Sequence, residues 1–108
     1  MAGELRDKVA LVTGGSKGIG LAIASRFAAS GADVAIVARG RPALDEAVAA
    51  VAAQARGRVV AIQGDVAIAA DVTRSYHEAM QGLGRIDIMV NNAGTSATSP
   101  FETLTDEL

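Results

Sequence analysis

The chain has 108 residues, half of them apolar, and a formal net charge of -2, which indicates one folded globular domain and excludes an intrinsically disordered segment. Only 3% of the residues are aromatic and no basic patch stands out, so we expect no nucleic-acid partner. Because the chain has no cysteine and a single histidine, we expect neither a disulfide framework nor a metal site.

The N-terminus argues against export and membrane insertion. Glu4, Arg6, Asp7 and Lys8 make residues 1–8 too charged for a signal peptide. The longest purely apolar run, residues 47–53, is far too short to span a bilayer. We therefore expect a cytoplasmic protein with no membrane partner.

The first predicted elements are a strand and a helix. Residues 8–13 form a short, almost wholly apolar run, typical of a strand that is buried on both faces. Residues 18–30 carry Ile19, Ile23 and Phe27 at a spacing of four, which predicts an amphipathic helix.

The same alternation continues along the chain. Residues 33–38 predict a second buried strand, and Pro42 suits the first turn of a second helix. The apolar stripe of that helix consists of Leu44, Val48, Val51 and Ala55. A third strand, a third helix and a fourth strand are predicted over residues 58–63, 71–83 and 86–90.

This βαβαβαβ order predicts the fold class. Parallel neighbouring strands need crossover connections of this length, and such crossovers are right-handed. We therefore expect an α/β fold with a doubly wound parallel sheet and helices on both faces. No linker or low-complexity tract interrupts the pattern, so residues 1–108 are interpreted as part of one domain.

A glycine-rich turn, residues 14–20 with the sequence GGSKGIG, joins the first strand to the first helix. Such a turn presents backbone N–H groups and a helix dipole to a ligand, and a phosphate fits that environment. Gly14 suits a tight turn, Gly18 suits close approach to a pyrophosphate, and Gly20 suits close helix packing. The spacing differs from the common G-x-G-x-x-G, so these glycines alone are also compatible with a plain turn.

Two further motifs give the turn more weight. Asp65-Val66 follows the third predicted strand, and Asn91-Asn92-Ala93-Gly94 follows the fourth. In this order and at these strand ends, the three motifs closely resemble the short-chain dehydrogenase/reductase family along the whole chain. The resemblance implies a Rossmann-like dinucleotide-binding fold and hydride transfer between a nicotinamide and a carbonyl or alcohol.

The resemblance also implies where the cofactor binds. The glycine-rich turn would line the pyrophosphate and ribose, Asp65-Val66 would hold the adenine, and the residues after the fourth strand would lie beside the cofactor's ribose. The cofactor-binding residues expected in this way are Gly14, Ser16, Lys17, Gly18, Ile19, Gly20, Arg39, Asp65, Val66, Asn92, Ala93 and Gly94. Asn91 and Asn92 have an alternative role, in which they only tie the fourth strand to its neighbours by hydrogen bonds.

The end of the second strand predicts the cofactor type. NAD-preferring dinucleotide folds carry an acid there, whereas NADP-preferring ones carry an arginine for the 2′-phosphate. This chain has Arg39 and no carboxylate at that point, and Lys17 resembles the turn lysine of NADP-dependent relatives. We expect NADP (NADPH), with NAD less favoured. In the alternative interpretation, Arg39 and Arg41 are solvated surface cations.

No catalytic residue is predicted within the 108 residues. In the family, a Tyr serves as general acid/base, aided by a Ser and by a Lys four residues after the Tyr. The only tyrosine here is Tyr76, and Met80 lies four residues after it. Its spacing with Val72 and Leu83 predicts a Tyr76 ring that points into the core, while His77 faces solvent.

The C-terminal residues resemble the family's approach to its next long helix, with Thr105 as N-cap. We therefore expect a domain truncated before its catalytic segment: the cofactor-binding part of a reductase acting on a small carbonyl, alcohol or 3-oxoacyl thioester, inactive alone. A non-catalytic dinucleotide-binding module and an oligomerising remnant are the alternatives. An apolar edge at the fourth strand predicts a homo-oligomer.

Overall fold

A computed structural model describes residues 3–92 of the chain, and these residues alternate between strand and helix. The elements are β1 (Val9–Thr13), α1 (Gly18–Ala29), β2 (Asp33–Ala38), α2 (Arg41–Ala52), β3 (Val59–Gln63), α3 (Ala69–Leu83) and β4 (Ile88–Asn91). The four strands pair in parallel in the order β3-β2-β1-β4. The predicted α/β fold with a parallel, Rossmann-like sheet is confirmed.

The two continuous apolar runs of the sequence form β1 and β2, at the centre of the sheet. Every residue of β1 is buried, and so is every residue of β2 after Asp33. β1 lies between β2 and β4, which explains why its sequence shows no alternation of apolar and polar residues.

Helices cover both faces of the sheet. On one face, Ala24 of α1 and Leu44 of α2 pack with Val12 and Ile36 from the strands. On the other face, α3 contributes the buried residues Ala79 and Leu83 to a second cluster that contains Leu11, Val37 and Ile62. This arrangement confirms the doubly wound topology. Among residues 3–92, no helix has both the length and the apolar character needed to cross a membrane.

The apolar stripe that indicated α1 is only partly its inward face: Phe27 packs against the core, but the fully buried positions are other residues. The residues that α1 buries are Gly20, Ala24 and Ala28, whereas Ile19 is 71% exposed. The small residues Gly20, Ala24 and Ala28 let the helix axis approach the sheet closely. The periodicity of apolar residues predicted the helix correctly. Which residues face inward depends on how closely the helix approaches the sheet.

The prediction that Tyr76 points into the core is wrong. α3 buries Ser75, Ala79 and Leu83, and Tyr76 is 40% exposed. α3 passes so close to the end of β3 that a Cβ atom added to Gly64 would lie 2.8 Å from Ser75 Oγ. Only a small side chain fits at position 75, where α3 makes this contact.

β4 begins at Ile88, two residues later than predicted, because Asp87 pairs with β1 through its side chain as well as its backbone. Asp87 Oδ2 accepts a hydrogen bond from Val9 N–H at 2.8 Å, and Asp87 N–H donates to Val9 O at 2.8 Å. Arg85 also donates to Asp87 Oδ1, from Nη2 at 2.7 Å. The hydrogen bond from Arg85, followed by that from Val9 N–H, lowers the pKa of Asp87.

This lowered pKa predicts an acid-sensitive contribution to stability. The ionised carboxylate stabilises the fold at pH values above the unfolded pKa of about 3.9, and the stabilisation is lost as pH falls through the lower folded pKa. We expect Asp87→Asn to lower Tm near neutral pH and to approach the unsubstituted protein in acid. Thermal unfolding followed by circular dichroism at several pH values measures this difference. Asp45→Asn, which removes the surface ion pair with Arg41, is the matched control, and an equal loss at both positions would contradict the prediction.

Candidate functional site

The residues expected to bind a cofactor follow the carboxyl ends of four parallel strands, which lie at one edge of the sheet. The glycine-rich turn follows β1, Arg39 follows β2, Asp65 and Val66 follow β3, and Asn92 follows β4. The order in which successive strands join the sheet reverses at β1, since β2 and β3 lie on one side of β1 and β4 lies on the other. Open α/β sheets bind ligands at the carboxyl edge next to such a reversal.

The glycine-rich turn has a backbone that favours glycine at two positions. Gly14 has φ of +68° and Gly18 has φ of +54°, in the left-handed region where a Cβ atom is unfavourable. Gly14 N–H donates to Val37 O at 2.8 Å, which fixes the start of the turn against β2. A Cβ atom on Gly18 would meet no atom within 4 Å, so this part of the turn is open on its outer side.

The first backbone N–H groups of α1 lie at the same edge. The hydrogen bond from Leu21 N–H to Lys17 O, at 3.2 Å, begins the helical ladder, so Gly18, Ile19 and Gly20 precede it. Within residues 3–92, no side chain caps these groups, and Lys17 occupies the N-cap position with extended backbone angles. Free N–H groups and the positive end of the helix dipole favour an anion here.

Gly20 sets the distance between α1 and the turn. A Cβ atom on Gly20 would lie against Gly14 O and 2.6 Å from Asn92 Nδ2. A side chain at this position would therefore push α1 away from both the turn and the end of β4. The side chain of Asn92 is brought next to the turn by the same close packing.

Thr13 ties the end of β4 to β1. Its side chain is buried, and Asn92 N–H lies 3.2 Å from Thr13 Oγ1. Thr13 Oγ1 in turn lies 3.1 Å from Asn91 Oδ1 and 3.3 Å from Val90 O, of which its single proton can serve one at a time. These contacts support the strand-tying role for Asn91. The predicted site residues Ala93 and Gly94 lie outside the described residues.

The loop after β3 is held in place by two carboxylates. Asp65 Oδ1 accepts a hydrogen bond from Ala67 N–H at 2.9 Å, which closes the loop on itself. Asp71 Oδ2 accepts from Asp65 N–H at 2.8 Å, which fixes the loop to the first turn of α3. Val66 packs against the core cluster on the α3 side of the sheet. Hydrogen bonds and core packing thus hold this loop where the family resemblance places the adenine.

Arg39 extends from the end of β2 into solvent. Its side chain is 78% exposed, and Nη1 lies 4.0 Å from Asp65 Oδ2. Arg41 is held more closely, with Nη2 3.0 Å from Asp45 Oδ1 one helical turn away. An exposed ion pair contributes only about 0–1 kcal/mol, so the Arg39 guanidinium can readily exchange its contact with Asp65 for a phosphate.

Three polar residues around this loop were not singled out by the sequence analysis. Asp71 fixes Asp65, Gln63 donates from Nε2 to Arg39 O at 3.0 Å, and Arg74 donates from Nη2 to Gln63 O at 2.8 Å. The spacing of Asp71, Arg74 and Glu78 by three and four residues on α3 indicates ion pairs on a helix surface. This spacing does not indicate that Arg74 also contacts β3.

The close packing at Gly20 generates a stability prediction. Gly20→Ala should lower the free energy of unfolding by about 1–3 kcal/mol, because the added methyl group has no space. Gly82→Ala on α3 is the matched control, since a Cβ atom there would meet only Val60 Cγ2 at 3.9 Å. That control should raise the free energy of unfolding by about 0.4–1 kcal/mol. Urea denaturation of both variants measures the difference, and a Gly20→Ala protein as stable as the unsubstituted one would contradict the packing described here.

Both the sequence and the fold are similar to those of known proteins. Residues 8–108 match the protein family described as short chain dehydrogenase. An uncharacterised oxidoreductase of Methylorubrum extorquens is 41% identical over 105 residues, which cover 96% of this chain and 42% of that protein. A hydroxynaphthalene reductase-like protein of Metarhizium majus is 39% identical over 104 residues, which cover 96% of this chain and 39% of the relative.

The structural comparison gives the same result. The L-sorbose reductase of Gluconobacter frateurii, whose crystal structure contains NADPH and L-sorbose, superimposes with a TM-score of 0.82 at 38% identity. The match covers 99% of this chain and 41% of the reductase. The chain thus spans about two fifths of the length of the relatives it matches.

Proposed function

The chain belongs to the short-chain dehydrogenase family, and we propose that it is the NADP-binding part of an oxidoreductase acting on a small carbonyl or alcohol. The observation that carries this proposal is the glycine-rich turn, whose outer side is open at Gly18 and which leads into the N–H groups of α1. When bound, the nicotinamide cofactor supplies or accepts the hydride. The described residues bind and orient it.

The residues of the turn fit a dinucleotide's pyrophosphate. The N–H groups of Gly18, Ile19 and Gly20 can donate to phosphate oxygens, and the helix dipole adds a favourable field. The exposed Ile19 side chain, which the core does not use, can pack against the ribose. Ser16 and Lys17 lie in the same turn and complete this part of the proposed site.

The adenosine half fits the neighbouring strand ends. Asp65 and Val66 provide a fixed loop for the adenine, with Asp65 Oδ2 left near Arg39 rather than bonded within its own loop. Asn92 lies beside Gly20 at the other end of the proposed site. Ala93 and Gly94 remain proposed contacts by family resemblance.

The proposed preference for NADP over NAD rests on two exposed cationic side chains. Arg39 at the end of β2 is exposed and weakly paired, and Lys17 is exposed at the start of α1. A charge-assisted hydrogen bond to a 2′-phosphate contributes about 1.5–3 kcal/mol, which corresponds to about a ten- to hundredfold preference over NAD. NADPH is also the cofactor in the L-sorbose reductase complex.

The reaction proposed for the whole protein is reduction of a small ketone or a 3-oxoacyl thioester, or the reverse oxidation of an alcohol. For the 108 residues alone, we propose cofactor binding without turnover. Tyr76 lies on α3 with Met80 four residues later, so it lacks the Lys partner that lowers the pKa of the family's catalytic tyrosine. A cytoplasmic location and self-association through β4 stay predictions.

The role of Arg39 is tested by removing its charge. Arg39→Met should weaken binding of adenosine 2′,5′-bisphosphate by about ten- to hundredfold, because the 2′-phosphate loses its charge-assisted partner. Binding of 5′-AMP, which has no 2′-phosphate, should change little. Isothermal titration calorimetry gives both Kd values.

Arg56→Met is the matched control for this substitution, since Arg56 is exposed in the segment between α2 and β3 and lies at the opposite edge of the sheet. It should leave both Kd values unchanged. An Arg39→Met protein that still prefers the bisphosphate as strongly as the unsubstituted one would favour the interpretation of Arg39 as a plain surface cation.

Catalysis and binding are separated by one assay. The 108-residue chain should bind NADPH, detected by its fluorescence, and should not oxidise it when a ketone is added, because the Tyr and Lys pair is missing from its sequence. NADPH oxidation above the rate without protein would contradict the proposed lack of turnover. Failure to bind NADPH at all would instead support a remnant that only oligomerises.

A further inference from the structure

We infer that Gln63 is a positioning residue for cofactor preference, because it holds the backbone of Arg39 at a fixed distance from the adenine loop. The inference rests on the proposed NADP binding. It concerns a residue that would not touch the cofactor and acts only through Arg39.

The contact extends the pairing between β2 and β3 beyond both strands. Gly64 N–H donates to Ala38 O at 3.0 Å, and the next bond along is made by a side chain, from Gln63 Nε2 to Arg39 O at 3.0 Å. Gln63 is the last residue of β3 and is exposed. Its amide therefore continues the strand pairing by one residue, to the residue proposed to bind the 2′-phosphate.

The side chain of Arg39 is itself only weakly held. Within residues 3–92, the acidic group nearest to its guanidinium is Asp65 Oδ2, at 4.0 Å, and the side chain is largely solvated. A long side chain that starts from a mobile backbone loses more conformational entropy on binding than one that starts from a fixed backbone. Fixing Arg39 O thus lowers the entropic cost of placing the guanidinium on a phosphate.

Gln63 is itself fixed by α3. Arg74 Nη2 donates to Gln63 O at 2.8 Å and lies 3.5 Å from Asp71 Oδ1, while Arg74 Nη1 donates to Glu78 Oε2. Arg74 thus contacts two carboxylates on α3 and one backbone carbonyl of β3, and it braces the end of β3 against α3.

The same brace holds the adenine loop. Asp71 accepts from Asp65 N–H through Oδ2 and faces Arg74 through Oδ1. The loop that carries Asp65 and the segment that carries Arg39 are therefore tied to one network, through Asp71 and Gln63 respectively. A nucleotide that binds both loops is sensitive to the distance between them, and the Gln63 amide sets that distance on the Arg39 side.

The test compares two nucleotides on the same protein. Gln63→Met keeps the length of the side chain and removes the N–H donor without adding charge. It should reduce the ratio of affinities for adenosine 2′,5′-bisphosphate over 5′-AMP by about three- to tenfold, the effect of one lost hydrogen bond. The change should come from the bisphosphate, with 5′-AMP binding nearly unaltered. Gln81→Met, the same change at an exposed glutamine near the C-terminal end of α3, should leave the ratio unchanged.

A double-mutant cycle tests whether Gln63 acts through Arg39. In the Arg39→Met background, Gln63→Met should produce no further change in the ratio, because the side chain that it positions is gone. Gln63→Leu, which also lacks the N–H donor and adds no charge, should reproduce the loss in the otherwise unsubstituted protein. A further loss in the Arg39→Met background would overturn the inference.

The remaining outcomes separate this inference from the proposed function. If the unsubstituted protein prefers the bisphosphate and both Gln63 variants keep that preference, the inference is wrong and the proposed NADP binding stands. If both nucleotides weaken equally, Gln63 is only a structural brace and the inference is also wrong. If the unsubstituted protein shows no preference for the bisphosphate, the proposed NADP preference itself fails, and the inference fails with it.

Discussion

The missing side chain at Gly20 lets α1 lie directly against the turn that follows β1, and the rest of the site depends on that contact. A Cβ atom there would meet Gly14 O and Asn92 Nδ2, so the turn, α1 and the end of β4 approach one another only with glycine. Because α1 starts at this contact, its first N–H groups lie at the carboxyl edge beside β1, where the order of the strands reverses. A phosphate-binding role for the turn requires this placement.

Around that point, polar contacts connect the strand ends. Thr13 links β1 to the end of β4, Asp71 holds the loop after β3, and Gln63 links β3 to Arg39. Each of these contacts holds a backbone N–H or C=O group in place. The side chains of Arg39 and Ile19 remain exposed to solvent. A prearranged backbone with exposed side chains, and with N–H groups that no side chain among residues 3–92 caps, is suited to a polar, multiply charged ligand.

The strands were the most predictable part of the chain. β2 has the predicted bounds, 33–38, since a short apolar run between turn signals at the centre of a sheet allows few other interpretations. The buried face of α1 and the position of Tyr76 were not predictable from period alone, because they depend on how closely each helix approaches the sheet. Gln63 and Arg74 were missed for a related reason: their partners come from other elements, and spacing within one element does not identify them.

The central claim, that the amides of the turn form the pyrophosphate site, is tested most directly by titrating the isotopically labelled protein with ADP and following backbone amide NMR signals. ADP carries the diphosphate and the adenosine without the nicotinamide. We predict saturable shifts that are largest for Gly18, Ile19 and Gly20, with smaller shifts at the loop after β3. Saturable ADP binding that leaves the amides of residues 14–20 unmoved would contradict the account.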